Sequence, residues 1–244
     1  MPTPDEFRHR AAAPHEPLRT FHPRRVGLGP SRQAALARLF PVLGFSVHDE
    51  AAPFPRHGDG TLDAAAMFGR CAPLILEIGS GMGEATAAMA AADPDRDVLA
   101  VEAHLPGIAG LLLLADEHGL ANVRVGHGDA LELVRDAIAP GSLAEVRAFF
   151  PDPWPKARHH KRRLVQPAHV ALLRSRLVVG GVLHTATDLP DYAEQMLHVL
   201  TSDPGLENTA DGFADRGGRP VTAFERKALA EGRQARDLVF RRVR

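Results

Sequence analysis

The sequence predicts an α/β fold in which a doubly wound, mostly parallel sheet carries helices on both faces. Apolar runs typical of strands alternate with helix-forming segments from residue 74 to residue 200, and the connections between them are short. One of these runs ends in a glycine-rich turn, formed by Gly79, Gly81 and Gly83, that opens a helix. Alternating strands and helices with short connections are typical of parallel sheets with right-handed crossovers.

Hydrophobic periodicity places each element of this fold along the chain. Strands are predicted over 74–78, 97–102, 122–127, 143–150, 182–187 and 237–243. Helices are predicted over 84–92 and 106–118, and a third follows residue 129. A fourth runs from the end of the loop over 149–163 to about residue 178, and two more cover 190–200 and 222–231. The pair at residues 180–181 is expected to turn the chain into the fifth strand.

Composition divides the chain into two regions. Residues 1–70 are rich in proline, glycine and arginine and contain little that could form a core. We predict an N-terminal extension there, partly disordered, with one short helix capped by Ser31, and with a loop over 44–70. Residues 71–244 are predicted to form the folded domain.

Composition and charge exclude several classes of protein. The chain has 244 residues, 45% of them hydrophobic and 24% charged, as in an ordinary globular protein. Its formal net charge of -1 means that any nucleic acid must be bound by a local patch. The single cysteine, Cys71, excludes an internal disulfide, and we expect no metal. No signal peptide is evident, and the most apolar stretch, 107–115, is too short to span a bilayer. We therefore expect a cytoplasmic protein with no membrane partner.

The loop after the fourth strand carries the most distinctive chemistry. Residues 149–163 contain three prolines, which force a stiff extended loop, together with Asp152, Trp154 and a dense cationic run. Ligands of open α/β sheets bind outside the carboxyl ends of the strands, so this loop predicts a site for a nucleobase within a nucleic acid. Taken singly, a turn aspartate, a core tryptophan and a solvated charge run are each ordinary. Trp154 either stacks on a base or braces the loop.

The glycine turn helps to choose between two adenosine-containing ligands. The dinucleotide fingerprint needs a third glycine where this chain has Glu84 or Thr86, so that fingerprint fails in both registers. Glu77, two residues before the first glycine, would repel a pyrophosphate. It suits a ligand that carries an amine, such as S-adenosylmethionine.

Two further acids end the second and third strands. Glu102 lies roughly 20 residues beyond the glycines, where an acid commonly binds ribose hydroxyls, although it could also serve as a charge at a helix N-terminus. Asp129 is placed either to accept a hydrogen bond from an adenine amino group or to cap the next helix, and spacing does not choose. Three acids at successive strand ends favour an adenosine ligand more than any one of them does.

These motifs resemble the bacterial tRNA (guanine-N7)-methyltransferase family, in the class I S-adenosylmethionine-dependent superfamily. The resemblance covers nearly the whole chain, and its matching segments are 19–21, 33–36, 77–84, 102–104, 128–130, 149–163, 186–188 and 222–226. The loop over 149–163 is highly specific, whereas the glycine turn is not. The resemblance implies a Rossmann-like fold with a seven-stranded sheet.

The resemblance also implies the reaction and its residues. The expected reaction methylates N7 of a guanine in the variable loop of tRNA with S-adenosylmethionine and gives 7-methylguanosine. The cofactor-binding residues are expected to be Glu77, Glu102, Asp129 and Asp152, with the backbone of Gly79 and Gly81. The guanine is assigned to Lys156, Asp188, Thr222, Ala223, Phe224 and Glu225. The RNA is assigned to Arg158, His159, His160, Lys161, Arg162 and Arg163.

The chemistry of guanine supports one catalytic residue. Guanine N7 already has an in-plane lone pair, so catalysis can be mainly alignment, which supplies about 7–11 kcal/mol at best. A carboxylate would stabilise the positive charge that develops on the purine, and we expect Asp152 to be that catalytic group. Two rivals remain: a non-catalytic RNA-binding protein on the same fold, and a methyltransferase for another substrate. We expect a monomer or a homodimer.

Overall fold

The computed structural model describes residues 19–22, 27–48 and 53–244. The predicted disorder near the N-terminus falls mainly on residues 1–18 and 23–26, which lie outside the described residues. The strands are β1 Gly44–Ser46, β2 Leu74–Ile78, β3 Asp97–Glu102, β4 Val123–His127, β5 Leu143–Phe149, β6 Leu177–Thr187, β7 Leu206–Asn208 and β8 Arg236–Arg242. The helices are α1 Pro30–Leu43, α2 Ala64–Phe68, α3 Glu84–Ala92, α4 Leu105–Glu117, α5 Ala130–Asp136, α6 Pro167–Arg176, α7 Pro190–Thr201 and α8 Ala223–Ala230.

The eight strands form one sheet in the order β1-β4-β3-β2-β5-β6-β8-β7. The strands from β1 to β6 pair in parallel, and β8 pairs antiparallel with both β6 and β7. The predicted α/β fold with a mostly parallel sheet is therefore confirmed, with eight strands rather than seven. None of the helices in the described ranges combines the length and the apolar run needed to cross a membrane.

The order of strands determines where a ligand can bind. From β2 the chain proceeds outward through β3 and β4 on one side, and from β5 it proceeds outward through β6 on the other. The direction of winding therefore reverses between β2 and β5. Crevices at such a reversal, outside the carboxyl ends of the strands, are the usual ligand sites of open α/β sheets. The glycine turn follows β2 and the proline-rich loop follows β5, so the fold brings the two predicted motifs to one place.

Residues 44–70, which composition predicts to be a loop, contain the strand β1 and the helix α2. Phe45 is buried, packs edge-to-face against Phe54 at 5.2 Å, and lies so close to Gly126 of β4 that any Cβ there would clash. A strand of three residues is too short to produce a periodic pattern, which is why the sequence does not predict it. The boundary at residue 70 between an N-terminal extension and the folded domain stays a prediction. The strand β1 precedes that boundary in the chain and nevertheless belongs to the sheet.

The region after the proline-rich loop also differs from the prediction. Residues Ala157–Arg162, predicted to belong to an extended loop, form a 3₁₀ helix, whereas the helix predicted to end at about residue 178 is α6, which ends at Arg176. The next strand begins at Leu177 and contains residues 180–181, where the register with β5 shifts. Gly180 has a φ of 86°, a conformation that glycine adopts without strain. The two glycines thus form an irregularity within β6 and not a turn before it.

Close packing between α4 and the glycine turn shapes the crevice. A Cβ placed on Gly107 of α4 would lie 2.3 Å from the carbonyl oxygen of Gly81 and 3.1 Å from Cγ of Glu102. A Cβ on Gly83 would lie 2.6 Å from Cβ of Leu111. The helix can therefore approach the turn only because glycines occupy these positions.

The variant Gly107→Ala tests this packing. Alanine in a helix is normally favoured over glycine by about 1 kcal/mol, but overpacking costs about 1–3 kcal/mol, and the clash here is with backbone. We expect the overpacking to prevail and the free energy of unfolding in urea to fall. Gly58→Ala, where a Cβ would meet nothing within 4 Å, is the control and should change stability little. An unchanged or increased stability of Gly107→Ala would show that α4 does not pack tightly on the turn.

Candidate active site

A cavity of about 460 Å³ opens at the carboxyl ends of β2 and β5. Its size lies in the usual range for small-molecule sites, about 300–1,000 Å³. The six predicted cofactor residues all line it, and they are Glu77, Gly79, Gly81, Glu102, Asp129 and Asp152. Of the predicted guanine residues, Thr222, Ala223 and Phe224 line the cavity. Lys156, Asp188 and Glu225 do not belong to its wall.

Glu77 is the most unusual group in the cavity. Its residue is 2% exposed, and its Oε1 accepts a hydrogen bond of 2.9 Å from the hydroxyl of Thr86. Its Oε2 is buried and has no hydrogen-bond partner. Burial raises the pKa of Glu77 to about 7, although the charge of Arg147 and the Thr86 hydroxyl oppose the shift. A buried carboxylate oxygen without a donor, at the wall of a cavity, suits a ligand that brings a cationic donor.

The other two acids at strand ends bind backbone amides. Glu102 Oε2 accepts a hydrogen bond of 2.9 Å from the amide of Gly81, and its Oε1 accepts from the amides of Ala103 and His104. Asp129 Oδ1 accepts from the amide of Leu131 at 2.8 Å and so caps α5. Both residues line the cavity while holding its backbone. The two roles that the sequence leaves open for Asp129 are thus compatible.

The loop after β5 is held in a strained conformation around Asp152. Phe150 and Trp154 have φ values of 53° and 45°, which are costly for residues other than glycine, at roughly 1–3 kcal/mol each. Asp152 Oδ2 accepts two hydrogen bonds from His22, one from the backbone amide at 2.7 Å and one at Nδ1 at 2.8 Å. The N-terminal segment of residues 19–22 therefore fixes the carboxylate that the sequence predicts to be catalytic.

Trp154 braces this loop in the structure. It is 3% exposed, and its indole Nε1 donates a hydrogen bond of 2.9 Å to the carbonyl of Thr20. The ring of His22 stacks on it at 3.7 Å, and the guanidinium of Arg162 lies 4.9 Å from its centre. An indole buried in this way supports the loop, and the contacts it makes compensate for the strain in its backbone.

A buried ionic cluster packs against Phe149 and Phe150, which line the cavity. Arg219 donates two hydrogen bonds of 2.8 Å to Asp237 and one of 2.7 Å to Glu225, which also accepts from Arg216 at 3.0 Å. The guanidinium of Arg219 lies 5.3 Å and 5.4 Å from the ring centres of Phe149 and Phe150. The carboxylate predicted to bind guanine at position 225 is thus engaged by two arginines, so we revise its role to positioning the start of α8.

The predicted RNA-binding residues divide into an accessible group and a buried one. Arg158 and Lys161 are exposed, as is Lys156, which is predicted to bind the guanine, and His159, His160 and Arg162 are half-buried. Arg163 is 1% exposed. It donates hydrogen bonds to the side chains of Asp191 and Gln195 at 2.5 Å and to the carbonyl of Pro153 at 2.8 Å. The predicted phosphate contact of Arg163 is therefore corrected, because its donors tie the loop to α7.

Asp188 lies beyond the cavity wall, at the end of β6. Its Oδ2 accepts a hydrogen bond of 2.8 Å from Nε of Arg233.

The cavity also contains residues for which the sequence predicts no role, among them Arg32, Met82 and His104. Met82 and His104 lie within segments that carry the family resemblance, whereas only the tertiary fold brings Arg32 to the cavity. In the described ranges, no cluster of three or more histidine, cysteine, aspartate or glutamate residues could hold a metal ion.

Comparison with known proteins first defines the class. A family model described as "Putative methyltransferase" matches residues 71–238. The structure of the 16S rRNA methyltransferase KamB shares the fold with a TM-score of 0.53, at 14% identity, over 78% of this chain and 99% of that chain. The chain therefore belongs to a methyltransferase family and has the fold of that structure.

Curated relatives narrow the class to one family. A tRNA (guanine-N(7)-)-methyltransferase of Streptomyces coelicolor is 50% identical over 93% of this chain and 81% of its own length. One of Halorhodospira halophila is 49% identical over 91% of this chain and 94% of its own. One of Bordetella parapertussis is 56% identical over 75% and 72%. The chain belongs to the tRNA (guanine-N(7)-)-methyltransferase family.

The variant Glu77→Gln tests the burial of the carboxylate. Because folding raises the pKa of Glu77 from 4.5 to about 7, its contribution to stability is fully present below pH 4.5 and is lost as pH rises through 7. The free energy of unfolding of Glu77→Gln, relative to the unsubstituted protein, should therefore increase by about 2–3 kcal/mol between pH 5 and pH 8. The exposed residue Glu117 provides the control variant Glu117→Gln, which should show no such trend. A difference independent of pH would contradict the buried, unpaired carboxylate.

A second pair of variants separates the two groups of cations. Arg163→Ala breaks a buried network and should lower the free energy of unfolding by about 3 kcal/mol or more. Lys161→Ala removes an exposed charge and should change stability by no more than about 0.5 kcal/mol. Urea denaturation measures both values. Equal effects of the two substitutions would contradict the assignment of Arg163 to the interior.

Proposed function

We propose that this protein transfers a methyl group from S-adenosylmethionine to N7 of a guanine in the variable loop of tRNA, giving 7-methylguanosine. Relatives that share about half of its residues over most of their length carry the name of this activity. The observation that carries the proposal is the cavity, because one crevice joins the glycine turn and Glu77 to the aspartate of the proline-rich loop. A non-catalytic RNA-binding protein leaves this crevice without a role, and a methyltransferase for another substrate leaves the cations of the loop after β5 without one.

The residues of the cavity fit the methyl donor. Glu77 offers a buried oxygen without a hydrogen bond to an ammonium group, and the glycine turn allows close approach of backbone. Glu102 and Asp129 stand at the ends of the neighbouring strands, where they would hold the ribose and the adenine. When bound, S-adenosylmethionine supplies a methyl group that is activated by its sulfonium. The residues of the chain then need only bind, orient and exclude water.

Asp152 would act on the purine. A carboxylate beside the base stabilises the positive charge that develops as N7 is alkylated, and a fixed orientation makes this stabilisation effective. His22 and the strained turns on both sides of Asp152 supply that orientation. Thr222, Ala223 and Phe224 line the same cavity from α8 and its N-cap. We propose that these three residues contact the guanine. Lys156 and Asp188 would also contact it, from positions outside the cavity wall.

The tRNA would bind along the loop after β5. Lys156, Arg158 and Lys161 are exposed there within six residues, on a protein whose formal net charge is -1. Such a local patch serves phosphate contacts that position the RNA without reading its sequence. His159, His160 and Arg162 would support these contacts from half-buried positions. We further propose that the protein acts in the cytoplasm as a monomer or a homodimer.

Nucleoside analysis tests the reaction. The purified protein is incubated with S-adenosylmethionine carrying a labelled methyl group and with unmodified tRNA, and the RNA is digested to nucleosides. We expect the label in 7-methylguanosine. The variant Asp152→Asn should reduce methyl transfer by about 100-fold or more while it retains tRNA binding, because it removes charge and little volume. Asp95→Asn, at an exposed turn, is the matched control and should retain full activity.

Each contrary result has a distinct meaning. Label in another nucleoside would retain an RNA methyltransferase and reject the N7 chemistry. Binding of tRNA without any label would favour the non-catalytic RNA-binding protein. Full activity of Asp152→Asn would remove the catalytic role from that carboxylate.

A further inference from the structure

Arg147 is a buried arginine to which the proposed function gives no role. It interrupts the apolar strand β5 and is 3% exposed. In the parallel pairing of β2 with β5, its Cα lies directly opposite that of Glu77. Directly paired residues of neighbouring strands project from the same face of a sheet, so the two side chains are neighbours. The Nη1 of Arg147 is buried without a hydrogen bond, as is Oε2 of Glu77.

The remaining nitrogens of Arg147 are fixed by a chain of charges. Its Nε and Nη2 donate hydrogen bonds of 2.7 Å and 3.2 Å to the two carboxylate oxygens of Glu145. Nη1 of Arg96 donates a bond of 2.8 Å to Glu145, and Nε of Arg96 donates one of 2.6 Å to Asp93. Burial opposes ionisation of Glu145, but the hydrogen bonds and charges of both arginines prevail and hold its pKa below the ordinary value. The guanidinium is thereby held in one orientation.

The signs of these charges alternate from the surface to the cavity. Asp93, Arg96, Glu145, Arg147 and Glu77 form the series, and they sum to one negative charge when Glu77 is ionised. A cationic ligand at Glu77 would complete the series and bring its sum to zero. The chain of charges therefore matches an ammonium group placed at Glu77 better than it matches a neutral or anionic group there.

We propose that Arg147 is a positioning residue for the methyl donor, holding the Glu77 carboxylate in the ionised form that binds the amino group of the ligand. This inference rests on the proposed function, because it takes the ligand to be S-adenosylmethionine or its product. It assigns a role to a residue outside the cavity wall. It also explains why a charged residue is tolerated in the interior of a central strand.

The effect of Arg147 on pH dependence has a definite sign. The groups that face Glu77 are the hydroxyl of Thr86 from α3, Arg147 and Glu145 from β5, and Glu102 from β3. Arg147 is the cation among them, and the two acids oppose the ionisation of Glu77. Loss of Arg147 raises the pKa of Glu77 further. As pH is lowered, the affinity for an ammonium ligand should then begin to fall at a higher pH than in the unsubstituted protein.

Calorimetric titration of the full-length protein with S-adenosylhomocysteine tests this inference without catalysis. Affinity and proton release are measured between pH 6 and pH 8.5 for the unsubstituted protein, Arg147→Gln, Arg147→Lys and Glu77→Gln. In Arg147→Gln the midpoint, which is the pH at which half of the affinity is lost on acidification, should rise by about one unit. At pH 6.5 this variant should therefore bind about tenfold more weakly than the unsubstituted protein. Proton release at pH 7.5 should increase. Arg147→Lys retains the charge and should largely restore the original midpoint.

Two further variants complete the test. Glu77→Gln should bind weakly at every pH and release no proton in this range, which assigns the proton release to Glu77. If Arg147→Gln does not fold, Arg96→Gln replaces it, since Arg96 is partly exposed. Its loss leaves Glu145 less neutralised and should move the midpoint in the same direction by a smaller amount.

The contrary outcomes are distinguishable. An unchanged midpoint in the folded variant, with normal binding by the unsubstituted protein, would overturn the role of Arg147 and leave the proposed function intact. Failure of the unsubstituted protein to bind S-adenosylhomocysteine at any pH would overturn the proposed cofactor, and the role of Arg147 with it.

Discussion

The carboxylate of Glu77, buried at the end of β2 without a partner for one of its oxygens, is the constraint on which the site depends. An isolated buried charge is expensive, so the fold must either neutralise it or supply a cation. The structure does both in part, because burial raises the pKa to about 7 while Arg147 and Thr86 favour the ionised form. The protein thus carries a cost in stability that only a cationic ligand removes. This balance between stability and binding is common at functional sites.

The second half of the site is a strained loop held from three sides. Phe150 and Trp154 adopt left-handed backbone conformations, and Asp152 lies between them. The N-terminal segment holds the loop through His22, the cluster around Arg219 supports its beginning, and Arg163 ties it to α7. Strain of this kind persists only where the surroundings over-determine it. Its effect is to orient a carboxylate before the substrate arrives, which is the condition for electrostatic catalysis.

Much of the fold and part of the site can be predicted from the sequence. Five of the six predicted strands lie within one residue of the observed strands, because long apolar runs between turn residues define them. The strand β1 has three residues and no periodic pattern. The sequence also does not separate Arg163 from the exposed cations before it, because its burial depends on partners in α7 that are distant along the chain. Arg147 does leave a signal, as a lone charge within an apolar strand, but its pairing with Glu77 requires the register of the sheet.

A crystal structure with S-adenosylhomocysteine would test the central interaction most directly. The amino group of the ligand should donate a hydrogen bond to Oε2 of Glu77, and Arg147, on the neighbouring strand, should keep its hydrogen bonds to Glu145. The ribose and adenine should face Glu102 and Asp129. A structure in which the amino group binds elsewhere and Oε2 of Glu77 stays without a partner would contradict the role of this buried charge.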